Sequence, residues 1–192
     1  MARFDPAYQR TMRAEGQYAD DPHDPGGETY AGVARNFHPS WPGWERIDKW
    51  KAQRKAWSLA LDEVVQQQVA DFYRAEFWNR LWGDQLADQR IAEELFDTAV
   101  NGGRHHAIEF LQRALNVCNN RGTLYPDIAE DGAMGKGTVE ALDQAVKLKR
   151  ARAVCNVMNI LQGARYVELM RARAENERYI GWFDRVEIVR NG

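Results

Sequence analysis

The chain is poor in the residues that mark several common chemistries. Only two of its 192 residues are cysteine, Cys118 and Cys155, and they form no Cys-x-x-Cys pair. A disulfide framework is therefore not indicated, and two free thiols in apolar helical segments are expected. Serine occurs twice, at 40 and 58, and neither lies in Gly-x-Ser-x-Gly, which removes the usual serine-hydrolase nucleophile. There is no Gly-x-Gly-x-x-Gly run and no P-loop, so no nucleotide cofactor is expected. No uncharged apolar run approaches the roughly 20 residues of a membrane span, so stable membrane insertion is not expected. The net charge of −2 gives no electrostatic footprint for nucleic acid. Of the four histidines, His105 and His106 share helical spacing with Glu109, while His23 and His38 stand alone. A zinc site needs further ligands on facing elements, so no metal and no other cofactor is expected.

What is present is an ordinary globular composition, 44% apolar and 28% charged, with seven tryptophans and seven tyrosines. The length suffices to bury a core. The fold class expected is mainly α. Phe4, Tyr8, Met12 and Glu15 fall at spacings of four, four and three, one face of a helix that Asp5-Pro6 opens and Gly16 stops. Residues 20 to 56 read as irregular, broken by prolines 22, 25, 39 and 42, with a small hairpin near 29 to 33. Helices are predicted over 58–82, 88–101, 104–117, from about 137, and over 150–175, with a loop at 119–135. No repeat and no linker interrupts the chain. One compact unit with two lobes is expected, residues 1–90 and 91–192.

The segment EGQYADDPHDPGGET, residues 15 to 29, holds five carboxylates, two prolines and three glycines. Glu15 stands at the end of the first helix, in line with its apolar stripe. Partial burial and the negative end of the helix dipole both favour the neutral carboxyl, the form that acts as a general acid. Asp24 and Thr29 follow in the loop. A glycosidase needs a proton donor for the leaving oxygen and a second group that positions water or stabilises an oxocarbenium-like transition state. Gly26-Gly27 permits positive φ and close backbone approach. Glu28 either fixes the loop or competes with Asp24 as second carboxylate, and the structural role is favoured because adjacent like charges need compensation. Trp41 and Trp44 flank Pro42-Gly43 and are the leading candidates to stack on a sugar, with Tyr30 lining the same cleft; Trp50 and Trp57 are expected in the core. Asn101 precedes Gly102-Gly103, a helix C-cap that also offers an amide to a substrate.

Read whole, E-G-x-Y-x-x-D-P-x-D-P-G-G-E-T-x-x-G-V from Glu15 to Val33 resembles the signature of glycoside hydrolase family 108, lysozyme-like N-acetylmuramidases of phages and bacteria. FDTAVNGGRHHAIEFLQRALN (96–116), D-G-x-x-G-x-x-T-x-x-A-L (131–142), Arg165-Tyr166 and Gly181-Trp182-x-x-Arg185-Val186 resemble later segments of the same proteins, the second of them a peptidoglycan-binding-type segment. Gln17 stands where a second glycine is usual and Ala34 where a threonine is frequent. The resemblance implies a lysozyme-like α-helical fold and cleavage of peptidoglycan between N-acetylmuramic acid and N-acetylglucosamine. Glu15 matches the essential glutamate, and Glu15, Asp24 and Thr29 are spaced like the triad of phage-type lysozymes, one residue short in the second gap. A lytic transglycosylase on the same bond and a non-catalytic peptidoglycan-binding or secretion-helper protein remain as alternatives. The opening MARFDPAYQRTMRAEG has no apolar signal region. Synthesis in the cytoplasm, holin-dependent export, action on glycan strands in the periplasm and a monomeric state are the corresponding expectations.

Overall fold

The computed structural model describes residues 1–12, 18–21, 24–53, 59–60 and 62–188. The fold is mainly α-helical with one small sheet. In chain order the elements are α1 (Phe4–Met12), β1 (Tyr18–Ala19), β2 (Thr29–Tyr30), β3 (Val33–Ala34), α2 (Gly43–Ala52), α3 (Glu63–Tyr73), α4 (Gln89–Gly102), α5 (Arg104–Cys118), α6 (Lys136–Lys147) and α7 (Ala151–Ala172). A π-helical turn (Arg74–Trp78) and two 3-10 turns (Asn79–Leu81, Gly83–Gln85) join α3 to α4, and a 3-10 segment (Ala174–Arg185) follows α7. The chain divides into two compact units, residues 8–76 and residues 1–7 with 77–192. Glu15, Gly16, His23 and Trp57 lie outside the described residues.

The smaller unit is built on the sheet, in antiparallel order β1-β2-β3 with Tyr18 opposite Tyr30 and Tyr30 opposite Val33. Its core combines Tyr30 and Val33 from the sheet, Trp41, Trp44 and Ile47 from the start of α2, and Val65, Val69 and Tyr73 along α3. The Tyr73 hydroxyl donates to the Ala31 carbonyl at 3.0 Å, which ties α3 to the β2–β3 turn. Helix α2 was not foreseen by the reading of 20–56 as irregular. Pro42 has φ −65° and sits at the position where proline starts a helix rather than breaks one. The real signal was the spacing of Trp44 and Ile47 on one face.

The helix predicted from residue 58 begins instead at Glu63. Asp62 is extended, and its Oδ1 accepts from the backbone N–H groups of Val64 (3.1 Å) and Val65 (3.2 Å), a side-chain cap. The same carboxylate accepts from Arg46 Nε at 2.8 and 2.7 Å and from Trp50 Nε1 at 3.0 Å. Burial acts to raise the Asp62 carboxyl, but Arg46, the Val65 N–H and the Trp50 indole outweigh it and hold it below its ordinary value. At the other end the regular helix stops at Tyr73, and Trp82 closes the following turns with φ +52°.

In the larger unit Phe4, Trp78 and Phe96 meet edge to face, with centroids 5.8, 5.9 and 6.0 Å apart. Gly83 allows this. A Cβ there would lie 2.2 Å from the Trp78 ring. The chain start is held by Ala2 N–H on the Leu86 carbonyl (2.8 Å) and Arg3 N–H on Gln89 Oε1 (2.7 Å). Helices α4, α5 and α7 pack on one another through Leu95, Phe96, Leu111, Leu115, Val154 and Met158. Cys118 and Cys155 are free thiols, the first half-buried and the second buried.

Asp62→Ala removes a helix cap and leaves Arg46 and Trp50 without their acceptor, so a loss of about 2–3 kcal/mol is expected. Because the folded carboxyl is held low, its contribution is full above the unfolded value near ~3.9 and is lost as pH falls through the folded value. Urea titrations at neutral and acid pH check both points: the variant should be weaker at pH 7 and should approach the parent as pH falls toward 2.

Candidate active site

The loop between β1 and β2 carries Asp24, Gly26, Gly27 and Glu28, and Thr29 opens β2. Asp24 is exposed, and its Oδ1 accepts from the Gly26 N–H at 2.8 Å while its carbonyl accepts from Gly27 N–H at 2.9 Å. This is a side-chain-closed turn of the kind Asp-Pro-Gly-Gly favours. Gly27 has φ +64°, and a Cβ there would lie 2.8 Å from Asn36 Nδ2. Gly26 is glycine for a different reason: its φ is ordinary, but a Cβ would meet the Ala34 Cβ at 2.9 Å. The Thr29 hydroxyl donates to the Gly27 carbonyl at 3.1 Å, so Asp24 and Thr29 are held by opposite ends of one turn.

Glu28 fixes that turn to the rest of the unit. Its side chain is 8% exposed, with Oε2 2.7 Å from Arg35 and Oε1 2.8 Å from Lys51. The Tyr18 hydroxyl donates to Oε1 at 2.9 Å. Two cations and a phenol thus neutralise and satisfy one buried carboxylate, joining β1, the β2–β3 hairpin and α2. Arg35 also pairs with both Asp48 oxygens at 2.8 Å and covers the Trp44 ring at 4.5 Å. The hydrogen bond to Glu28 raises the Lys51 ammonium. Burial, then the bond to Glu28, raises the Tyr18 phenol.

The aromatic candidates lie deeper than the loop. Trp41 and Trp44 are 7% and 4% exposed and meet edge to face at 5.1 Å. Their indole N–H groups donate to the carbonyls of Gln68 (3.2 Å) and His38 (2.8 Å). Tyr30 is buried, its hydroxyl accepts from Gln66 Nε2 at 2.8 Å, and burial raises its phenol. Trp50 is half-buried against Asp62.

In the larger unit Asn101 is exposed, and its Nδ2 donates to the Asp97 carbonyl at 2.8 Å. It borders a cavity of about 80 Å³ walled by Thr98, His106, Gln162, Arg165, Tyr166 and Trp182 among others. An open groove of about 450 Å³ lies elsewhere, along Tyr125, Ile128, Glu140, Asp143 and Lys147. The Asp131-Gly132 turn is held by Gln112, which donates to Asp131 Oδ1 at 2.8 Å and accepts from Gly132 N–H at 2.8 Å. Ligating atoms of His105, His106 and Glu109 lie within 4.8 Å of one another. Arg113 already holds Glu109 at 2.6 Å, and the group sits in the first turns of α5, the positive end of a helix, so both features oppose a cation.

Comparison with known proteins divides the sequence at a different place from the two compact units, between α4 and α5. A model of the family described as "Glycosyl hydrolase 108" matches residues 8–103, and one described as "Predicted Peptidoglycan domain" matches residues 106–187. A solved structure, "Structure of Brucella abortus SagA", is similar with a TM-score of 0.60 over 95% of this chain and 88% of that one, at 24% identity, a likeness of fold. Two curated relatives named 5-keto-D-gluconate 5-reductase, from Escherichia coli strain K12 and from Escherichia coli O6:H1 strain CFT073, are 28% identical over 107 residues, 56% of this chain. The chain spans 41% of their length. It carries no Gly-x-Gly-x-x-Gly run for a dinucleotide, and the strand pairs among the described residues are antiparallel.

Glu28→Gln leaves Arg35 and Lys51 facing a neutral amide. Both cations are partly exposed, which moderates the effect, and a loss of about 2 kcal/mol is expected. Gly27→Ala is expected to lose about 1–2 kcal/mol through its left-handed backbone. Denaturant midpoints measured for both variants check these values, and parent-like midpoints would show that the loop is not fixed as described.

Proposed function

Because the chain belongs to the glycosyl hydrolase 108 family, we propose that it is a peptidoglycan hydrolase that cleaves the β-1,4 bond between N-acetylmuramic acid and N-acetylglucosamine. The observation that carries this reading is the family match across residues 8–103, the part of the chain that holds E-G-x-Y and D-P-G-G-E-T; the peptidoglycan-domain match beyond it supports the substrate class.

Glu15 is proposed as the general acid. It protonates the bridging oxygen, the C1–O bond breaks, and the muramic ring takes up oxocarbenium character. Asp24 and Thr29 then act on water: the carboxylate takes its proton as the oxygen adds to C1, and the hydroxyl orients it. The products are a free 4-hydroxyl on one fragment and a reducing muramic end on the other. The Asp24 turn and the Glu28 clamp support this assignment, since general-base work needs a carboxylate held within hydrogen-bond reach of its water. Glu28 is not proposed as second carboxylate, because both its oxygens face cations. Trp41, Trp44 and Tyr30 are proposed to support the loop from below, and Asn101 to meet ligand in the larger unit. The biological setting proposed is a phage-type endolysin that reaches the periplasmic wall through a holin and lyses the host.

Mass spectrometry of soluble fragments from purified peptidoglycan tests the reaction. Reducing muramic ends are expected from the parent protein, with release lowered roughly 10²–10⁴-fold in Glu15→Gln. Asp24→Asn and Thr29→Val are expected to lower kcat more than KM. Anhydro-muramic ends would make the protein a transglycosylase, and no fragments from the parent would leave a binding protein.

A further inference from the structure

Three segments that stand far apart in the sequence meet at one cavity of the larger unit: Asn101-Gly102 at the end of α4, Arg165-Tyr166 on α7, and Trp182 in the 3-10 segment. None has a part in the reaction proposed for residues 15–29. The cavity is small, about 80 Å³. At roughly 30 Å³ per water it has room for about three water-sized groups. That is far below the ~300 Å³ of pockets that engulf whole small molecules, so only the tip of a larger ligand can enter.

Its walls are chemically divided. Phe110, Tyr166, Leu169 and Trp182 supply apolar surface, with the Tyr166 and Trp182 rings 5.5 Å apart and tilted by 40°. Arg165 is half-buried and has no carboxylate partner among the described residues. Gln162 is 2% exposed, and its orientation is fixed: Thr98 Oγ1 donates to Glu94 Oε1 at 3.3 Å and accepts from Gln162 Nε2 at 3.1 Å. That chain of bonds leaves Gln162 Oε1 buried with no donor. An orphaned buried acceptor calls for an explanation, and a ligand N–H arriving at this wall supplies one. Asn101 adds an exposed carboxamide at the rim, its Nδ2 donating to the Asp97 carbonyl.

An unpaired guanidinium, a lone acceptor and an aromatic-lined recess with room for a methyl group together describe a short acyl-amino acid terminus. We propose that this cavity is a second binding site, which takes the carboxyl-terminal alanyl group of a peptidoglycan stem peptide. The carboxylate pairs with Arg165, the amide N–H meets the Gln162 wall, and the methyl group lies against Tyr166 and Trp182. The inference rests on peptidoglycan being the substrate, and it adds a peptide contact to the glycan contacts of the proposed reaction. The site makes the protein sensitive to the state of the stem: a free terminal carboxylate binds, and an amidated or cross-linked one does not.

Titration of the full chain with N-acetyl-D-alanyl-D-alanine, followed by tryptophan fluorescence and calorimetry, tests this. Saturable binding is expected, weakened roughly tenfold or more both by the peptide carboxamide and by Arg165→Met, as loss of a charge-assisted pair requires. The carboxamide arm uses the parent protein, so it does not depend on how the variant folds. No saturable binding, equal binding of acid and carboxamide, binding unchanged by Arg165→Met, or binding of N-acetylmuramic acid in place of the peptide would each overturn the proposal. Release of reducing ends from peptide-free glycan strands is measured alongside. Cleavage there without peptide binding removes the stem site and keeps the hydrolase, whereas peptide binding without cleavage does the reverse.

Discussion

The sheet of the smaller unit is fastened by one buried carboxylate. Glu28 lies between Arg35 and Lys51, with a Tyr18 hydroxyl on the same oxygen as the lysine, and it is almost closed to water. An ionised carboxylate so placed is tolerable only because both oxygens meet donors. The consequence is geometric. Strands of two residues each carry little stability of their own. Glu28 replaces the missing ladder by fastening the hairpin to α2, and Arg35 extends the fastening to Asp48 and Trp44.

That clamp explains how an exposed, glycine-rich loop can still hold a defined shape. Asp24 bends back on the Gly26 N–H, Gly27 takes the left-handed backbone the bend needs, and Thr29 caps the same turn from its far side. Each bond is local and individually worth about 1 kcal/mol. Their register is set by the residue between them, Glu28, whose partners come from elsewhere. The loop divides its polar groups: the Asp24 carboxylate stays at the surface while the Glu28 charge that orders the turn is buried.

Much of this was open to reading in the sequence. The strong 3.6-residue patterns gave α4, α5 and α7 to within a few residues, because Gly102-Gly103 and the apolar stripes mark their ends unambiguously. Helix α2 was hidden because Pro42-Gly43 resembles a break until Pro42 is seen at the helix start. The start of α3 depended on Asp62, whose capping role is local but whose partners, Arg46 and Trp50, belong to another helix. The positive φ of Gly27 was legible, since it follows from the residue type, whereas Gly26 is glycine because of Ala34 across the hairpin, which the spacing does not show. The partners of Glu28 were not legible, because nothing in the spacing of Arg35 and Lys51 ties them to position 28. The depth of Trp41 and Trp44 was likewise invisible: proline and glycine around a tryptophan indicate irregular backbone, and irregular backbone is not always surface.

The larger unit shows the same limit from the other side. Glu94, Asp97, Thr98 and Asn101 lie along α4 at spacings of three, four and seven, a polar stripe on a helix whose other face is core. Read alone, such a stripe signifies solvent. Here Glu94, Asp97 and Thr98 are buried, and α7 and the 3-10 segment cover them with Gln162, Tyr166 and Arg185, the last 2.9 Å from Asp97. Burial, then the nearby Asp97 charge, pushes the Tyr166 phenol up to about 12, so it stays a neutral donor throughout the physiological range. A network of this kind is stabilising only when it is complete. It is closed by Arg185 at Asp97 and incomplete at Gln162, a residue of the cavity wall. An apolar residue at 162 would fill the wall without an orphaned acceptor. The glutamine is therefore better explained by what enters the cavity than by what surrounds it.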